Sequence, residues 1–394
     1  MDKIFKIIQD VNAELVEMRK ELHKIPEIGG DLPKTRKYVQ NKLDSYGISY
    51  ELNQGDSGLV AYINGDGDGK TLAFRADMDA LNVQEENDLP YKSIHDGKMH
   101  GCGHDAHTAI LLATAKVLSK NKNLINGRVK LVFQAGEETG TGAKQMIKEG
   151  VLHGVDAFCA VHVGNLAGDD NKSGNLIVKS GAVTAGKDKF TITVKGKGTH
   201  SAFPEKGVDP MLISARIVNG AEELIAREIP AGTPAVLSFG SIVAGKDHNT
   251  IPETAEIKGS IRCQDEDVRT FLGERLKEMA CGIAKAFRGE AIVNINKGSK
   301  TVMNDPTLAN YFYETLKSVY KDEVLCETKS ELMGSDDFAN YAQQLPSVLF
   351  FLHTNNVKKG ICAPNHNPKF DVDEEVLIKA VTSYVLIAIN YLKK

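Results

Sequence analysis

Arg128-Val-Lys-Leu-Val-Phe-Gln134, then Gly142-Ala-Lys-Gln-Met-Ile-Lys-Glu149, then Val155-Asp-Ala-Phe-Cys-Ala-Val-His-Val163 decide the fold. The first and third alternate like strands, and the middle one reads as a helix. Strand, helix and strand with short connections form the βαβ unit of a largely parallel sheet with helices on its faces. On the N-terminal side, Ile4, Ile7, Ile8, Val11, Leu15, Met18 and Leu22 mark one face of an opening amphipathic helix. A second helix follows Pro33 and ends at Gly47, and strands are expected at Ser49–Leu52, Gly58–Ile63 and Thr71–Ala76. The stretch Asn64-Gly-Asp-Gly-Asp-Gly-Lys-Thr71 imitates two ligand loops. As a phosphate loop it fails, because Asn64 replaces the first glycine and a strand follows. As a calcium loop it fails, because Lys70 takes the fifth ligand position and no glutamate closes it. It reads as a hairpin turn.

From about Lys187 the pattern changes. Strands are expected at Lys189–Lys195, Ala235–Val243, Glu253–Cys263 and Glu290–Ile295, with helices at Pro210–Ala226 and Asp265–Phe287. This β-α-β-β-α-β order is that of a ferredoxin-like unit. After Lys297 the α/β pattern returns: a helix at Pro306–Tyr320, a strand at Ser347–His353 and a closing helix at Glu374–Leu392. The expected organisation is α/β: a mixed, largely parallel sheet flanked by helices (residues 1–186 and 298–394) carrying an inserted α+β domain (187–297).

At 394 residues, two domains are the prior. A net charge of -4 with 25% charged residues argues against nucleic-acid and anionic-membrane partners. No apolar run has the length of a membrane span, and Met1 to Ile8 lacks an apolar signal core, so a cytoplasmic protein is expected. Six cysteines lie far apart with no C-x-x-C pair, as core thiols of a reducing compartment do.

Cys102 is the exception. It stands in His100-Gly-Cys-Gly-His-Asp-Ala-His-Thr108 at the entrance of a helix, where a thiolate and the His104 imidazole straddle Gly103 and can reach one metal ion. In α/β sheets, ligands gather beyond the carboxyl ends of strands. Asp77-Met78-Asp79, Glu137-Glu138 and His162 follow such ends, and His366 in Pro364-Asn-His-Asn-Pro368 adds a donor from the last third. A lone histidine there is more often a satisfied polar residue than a ligand; the conjunction is what points to metal. Consecutive glutamates diverge, so one can bind metal while the other takes a proton from water; the competing reading is that the pair caps the next helix. His200 on a glycine-rich loop, Asn249 and Arg262 are individually weak donors for an oxyanion or carboxylate. Gly334-Ser335-Asp336 lacks the nucleophile elbow of a serine hydrolase.

Six motifs then recur in one order: Arg75-Ala-Asp-Met-Asp-Ala-Leu81, His100 through Thr108, Gln134 through Glu138, Asn249-x-Ile-Pro252, Gly334-Ser-Asp-Asp-Phe338 and Asn365-His-Asn-Pro368. Together they resemble the aminoacylase-type metallopeptidases, in the branch of hippurate hydrolase, N-acetyldiaminopimelate deacetylase and auxin-conjugate hydrolases. The resemblance covers the whole chain. It implies a two-metal catalytic domain with a smaller lid domain, often used for homodimers or homotetramers. It implies two divalent ions, zinc or manganese before cobalt or nickel, held by Cys102, His104, Glu138, His162 and His366. It further implies Glu137 as general base, Asp79 as the acid orienting a ligand histidine, and His200 and Asn249 at the oxyanion. Arg262 and Gly334 fall on the substrate side. The implied reaction is hydrolysis of an N-acyl amino acid. The alternatives are a di- or aminopeptidase on the same site, and a metal-binding protein without turnover. Ala135-Gly136, Thr199 and Asp336 depart from the usual pattern without removing a proposed ligand or base.

Overall fold

The computed structural model describes residues 2–52, 58–164, 172–328 and 330–393. The chain divides into two compact units: Met1–Val183 with Val302–Leu332 and Asp336–Lys394, and an inserted unit of Thr184–Thr301 with Met333–Ser335.

The larger unit is built on an eight-stranded sheet. Its centre is parallel: Asn126–Gln134, Asp66–Asp77, Ala157–Gly164 and Ser347–His353 lie side by side in that order. Gly58–Asn64 pairs antiparallel with the outer side of Asn126–Gln134. Alternate residues sort to opposite faces, as period two requires. Phe74, Leu131, Cys159, Val161 and Phe350 join one core with the helices Asn12–His23, His104–Ser119 and Leu377–Tyr391. Ala73, Val132, Phe158, Ala160 and Leu349 join a second with Met146, Phe338 and Tyr341. With both faces covered, central strands become near-continuous apolar runs; every residue of Ala157–Gly164 and Ser347–His353 is buried. Each large apolar side chain so buried stabilises the fold by roughly 1.5–3 kcal/mol.

Two sequence expectations are corrected. The opening helix is two helices, Asp2–Asp10 and Asn12–His23, meeting at Val11, whose N–H bonds Ile8 O three residues back. The Asn64–Thr71 stretch is not a hairpin turn: the strands it joins do not pair, because Asn126–Gln134 lies between them. The chain crosses that strand's entrance, with Gly65 N–H on Gly127 O and Asp66 N–H on Ile125 O. Glycine permits the crossing, since a Cβ on Gly65 would lie 2.3 Å from Ile125 O. Pairing starts at Asp66 with Asn126, slips, and resumes at Thr71 with Arg128.

The inserted unit has strands Gly186–Lys195, Ala235–Ala244, Thr254–Cys263 and Glu290–Lys297, all antiparallel. Helices Pro210–Arg227 and Glu266–Ala286 cover one face through Ile213, Ile217, Leu272 and Leu276. Each begins at an aspartate, Asp209 or Asp265, whose carboxylate accepts two backbone N–H groups of the first turn. The element order is β-α-β-β-α-β. No described helix is long and apolar enough to cross a membrane.

Gly65→Ala forces two backbones apart at the crossing. It should lower the unfolding free energy by about 1–3 kcal/mol, read as a lower urea midpoint at unchanged slope. An unchanged midpoint would show that the crossing tolerates a Cβ.

Candidate metal centre

Parallel pairing of Asp77 with Gln134 brings the carboxyl ends of two strands together, so the loops leaving them are neighbours. Asp79 ties them. Its two carboxylate oxygens accept the backbone N–H of Glu137 (3.0 Å) and of Glu138 (3.1 Å). Its main-chain carbonyl, rather than its carboxylate, meets His104 Nδ1 at 2.8 Å; the carboxylate stands 3.7 Å from that nitrogen. A carbonyl only accepts, so Nδ1 carries a proton, and Nε2 is the ring nitrogen left to face a metal.

Gly103 has φ +87°, and a Cβ there would lie 2.6 Å from a Val163 methyl. The tight turn aims Cys102 and His104 from the mouth of His104–Ser119 toward His162, which lies near the carboxyl end of the strand Ala157–Gly164. Cys102 Sγ is 3.6 Å from His162 Nε2, and His162 Nδ1 bonds Val163 O at 2.9 Å. From the other side, His366 Nε2 comes to 3.4 Å from Glu138 Oε1. His366 is held at φ +69° with its N–H on Gly101 O, an unusual backbone for a non-glycine residue.

Donor atoms of Cys102, His104 and His162 lie within 4.8 Å of one another, and so do those of Cys102, Glu138 and His366. The two groups share Cys102. His104 Nε2 and Glu138 Oε1 are buried and make no hydrogen bond among the described residues. Their nearest charged neighbours are Asp77 Oδ2, 3.4 Å from His104 Nε2, and His366 Nε2, 3.4 Å from Glu138 Oε1, so both are held only by ion pairs and have room for a stronger partner. Sulfur, imidazole and carboxylate form a donor set that divalent ions of zinc type accept, so the residues fit such ions.

Glu137 turns the other way. Its Oε1 accepts the Asp337 N–H at 3.2 Å, and its Oε2 is 4.0 Å from His104 Nε2. Burial, then Asp336, Asp337 and Glu138, push its pKa well above the ordinary carboxylate range. Behind it the buried Arg75 bonds Asp77 (2.7 Å) and Asp337 (2.8 Å), with Asp336 at 3.3 Å. Asp77 also accepts from His107 Nδ1 at 2.5 Å, while His107 Nε2 accepts the Val163 N–H. His107 is thereby used up as support. Burial disfavours charge on Asp77, but Arg75, His104 and His107 outweigh it and hold its pKa well below normal. A supporting role for His107 is what the sequence suggests; its pairing with Asp77, and the Asn365 Nδ2 bond to Cys102 O at 3.2 Å, join residues far apart in the chain and are not encoded in either motif.

The other site candidates belong to the inserted unit. His200 and Asn249 are neighbours there: Thr199–His200 pairs with Thr250–Ile251, and Ser201 N–H bonds Asn249 O. His200 Nδ1 accepts the Ala202 N–H at 3.1 Å, leaving Nε2 as the donor of the neutral ring. Arg262 Nη1 bonds Met333 O at 2.7 Å, beside Gly334, whose carbonyl accepts the Ala185 N–H.

Residues 73–390 match the model of "Peptidase family M20/M25/M40". The chain belongs to that family. Membership makes it a hydrolase. This M20 chain is 35% identical to "Thermostable carboxypeptidase 1" of Saccharolobus solfataricus over 100% of its own length and 99% of that protein's. It is 33% identical to "N-acetylcysteine deacetylase" of Bacillus subtilis, over 97% and 98% respectively. Among solved structures, it resembles a Bacillus subtilis protein described as a dinuclear metal binding peptidase of the M20 family. That likeness has 31% identity, a TM-score of 0.84 and coverage of 98% and 99%.

His100 provides a pH test of the region. The ring is buried with neither nitrogen bonded among the described residues, and burial lowers its pKa from 6.5 to about 3. Between those pH values the unfolded chain binds the proton and the folded chain does not, so acidification removes stability. His100→Leu removes that dependence. From pH 7 to pH 5 the difference in unfolding free energy should shift by roughly 2 kcal/mol in favour of the variant. A constant difference would contradict a neutral buried ring.

Proposed function

We propose that this M20 chain hydrolyses the amide of an N-acyl amino acid to a carboxylic acid and a free amino acid. The observation that carries this reading is the sharing of Cys102 between two donor groups, with Glu137 beside them, grouped with His104 and Glu138 as well but with one oxygen turned to the Asp337 N–H. Cys102, His104 and His162 would hold one divalent ion; Cys102, Glu138 and His366 would hold the second. Zinc and manganese are the first choices, and cobalt and nickel suit the same donors. When bound, such ions supply Lewis acidity, polarising a carbonyl and lowering the pKa of a water.

The chain's own residues do the rest. Glu137, pinned at one oxygen by the Asp337 N–H, takes the proton of the attacking water and returns it to the departing nitrogen. Asp79 keeps both glutamates in place through their amides. His200 Nε2–H and the Asn249 amide would steady the oxyanion from the inserted unit, which we read as the lid and dimerisation domain.

Arg262 supports a substrate with a free carboxylate. The buried Arg19, Arg75 and Arg269 each pair with carboxylates. Arg262 has only a backbone carbonyl among the described residues, and burial lowers its pKa. A half-buried guanidinium without an acid is poised for an anionic ligand. This recognition also fits a carboxypeptidase, the activity named for one relative, because both cleave an amide whose nitrogen belongs to a residue with a free carboxylate. A di- or aminopeptidase would instead require a free amino terminus.

Glu137→Gln should keep its metal and its fold while losing about 10²–10⁴-fold in turnover. Near-native turnover in that variant removes the proposed base. Arg262→Ala should raise KM for N-acetyl amino acids by tenfold or more and leave KM for their neutral carboxamides unchanged, a loss of roughly 1.5–3 kcal/mol of charged hydrogen bonding. An equal rise for both, or a preference for unblocked dipeptides, would contradict the substrate class.

A further inference from the structure

A second polar cluster, centred on Arg19, makes no hydrogen bond or ion pair with the donor side chains among the described residues. Arg19, fully buried on the helix Asn12–His23, spends its guanidinium on three carboxylates from two other segments. Nε bonds Asp105 at 3.0 Å, Nη2 bonds Asp371 at 2.7 Å, and Nη1 bonds Glu374 at 3.1 Å. Asp105 also accepts from His23 Nδ1 at 2.7 Å, and His23 Nε2 faces Glu85 at 3.2 Å. A buried arginine fork of this kind holds position as well as charge, because its planar donors fix the direction of each partner.

The two segments it joins are those that carry donors. Asp105 follows His104 in the first turn of His104–Ser119. Asp371 lies five residues beyond His366, on a stretch docked by Glu86 N–H on Pro368 O and Asn87 Nδ2 on Phe370 O. The donors differ in how firmly the fold holds them. Cys102, His104 and His162 are buried at the ends of regular elements. His366 is 53% exposed and sits on a positive-φ backbone in a loop. A backbone of that kind persists only when its surroundings over-determine it.

We propose that Arg19 is a positioning residue that holds the His366 segment against the helix of His104, and so sets affinity at one of the two metal positions and not the other. The position of Cys102, Glu138 and His366 depends on the Arg19–Asp371 pair. The position of Cys102, His104 and His162 is fixed by the helix and the sheet and does not. This rests on the two-position reading given above, and adds that the positions are separately controlled.

The test uses the full-length chain, stripped of metal and titrated with cobalt(II), with bound ions counted after dialysis and the thiolate-to-cobalt absorption recorded. Arg19→Lys keeps a positive charge but loses the fork; Asp371→Asn keeps the shape and loses one carboxylate. Circular dichroism confirms that each is folded, and the Asn variant stands in if the Lys variant is not. Wild type should bind two ions. Each variant should bind the first with unchanged affinity and thiolate absorption, and the second roughly ten- to a hundredfold more weakly. Folded variants that bind both ions as wild type does, or that lose both together, overturn the inference. Wild-type protein that binds fewer than two ions overturns the two-position reading itself.

Discussion

The carboxylate of Asp79 receives two consecutive backbone N–H groups, those of Glu137 and Glu138, and the arrangement of the site depends on that contact. With both amides pointing at one group, the two side chains leave the backbone in different directions. Glu138 goes to His366 and Cys102, and Glu137 goes to Asp337. The contact is available because Asp66–Asp77 and Asn126–Gln134 are parallel neighbours whose ends fall in register. The same carbonyl-out geometry lets Asp79 fix the His104 tautomer through its main chain while its side chain is used elsewhere.

Charge explains why so many polar groups can be buried at this edge. Arg75 offsets Asp77, Asp336 and Asp337, and Arg19 offsets Asp105, Asp371 and Glu374. Buried ions without partners would be expensive, and pairs with saturated donors are tolerable. Around the donor atoms themselves the balance is incomplete. Glu137 is driven toward its neutral form by burial and by Asp336, Asp337 and Glu138, while His104 Nε2 and Glu138 Oε1 make no hydrogen bond among the described residues and have only ion-pair neighbours, Asp77 and His366, each at 3.4 Å. That imbalance is what a pair of divalent cations would relieve.

Much of this was legible in the sequence, for identifiable reasons. Local pattern places strands at Val155–Val163 and Ser347–His353 and helices at Pro210–Ala226 and Asp265–Phe287, and the structure has them at Ala157–Gly164, Ser347–His353, Pro210–Arg227 and Glu266–Ala286. That both faces of the strands are covered, and that Asp209 and Asp265 cap the helices, emerges only in the fold. The Asn64–Thr71 stretch was misread because a glycine-rich turn and a glycine-permitted crossing have the same local composition. Only the position of Asn126–Gln134 separates them, and that is a long-range fact. The resemblance implies that Asp79 orients a ligand histidine; that the histidine is His104, and that the main-chain oxygen meets its ring, is a matter of backbone path that residue type does not encode. Arg19 and His23 sit in a helix whose apolar face dominates its pattern, so their polar role was invisible until Asp105 and Asp371 were placed beside them. Arg262 is a candidate from the sequence alone; its lack of an acid among the described residues, set against the paired Arg19, Arg75 and Arg269, is a long-range fact that residue type does not encode.

The most direct measurement of the central claim is an anomalous-difference map from crystals of the full-length chain grown with cobalt(II). Two peaks are expected, both at bonding distance from Cys102 Sγ, one also bonded to His104 and His162 and the other to Glu138 and His366. A single peak, or two peaks of which either lacks Cys102, would contradict it.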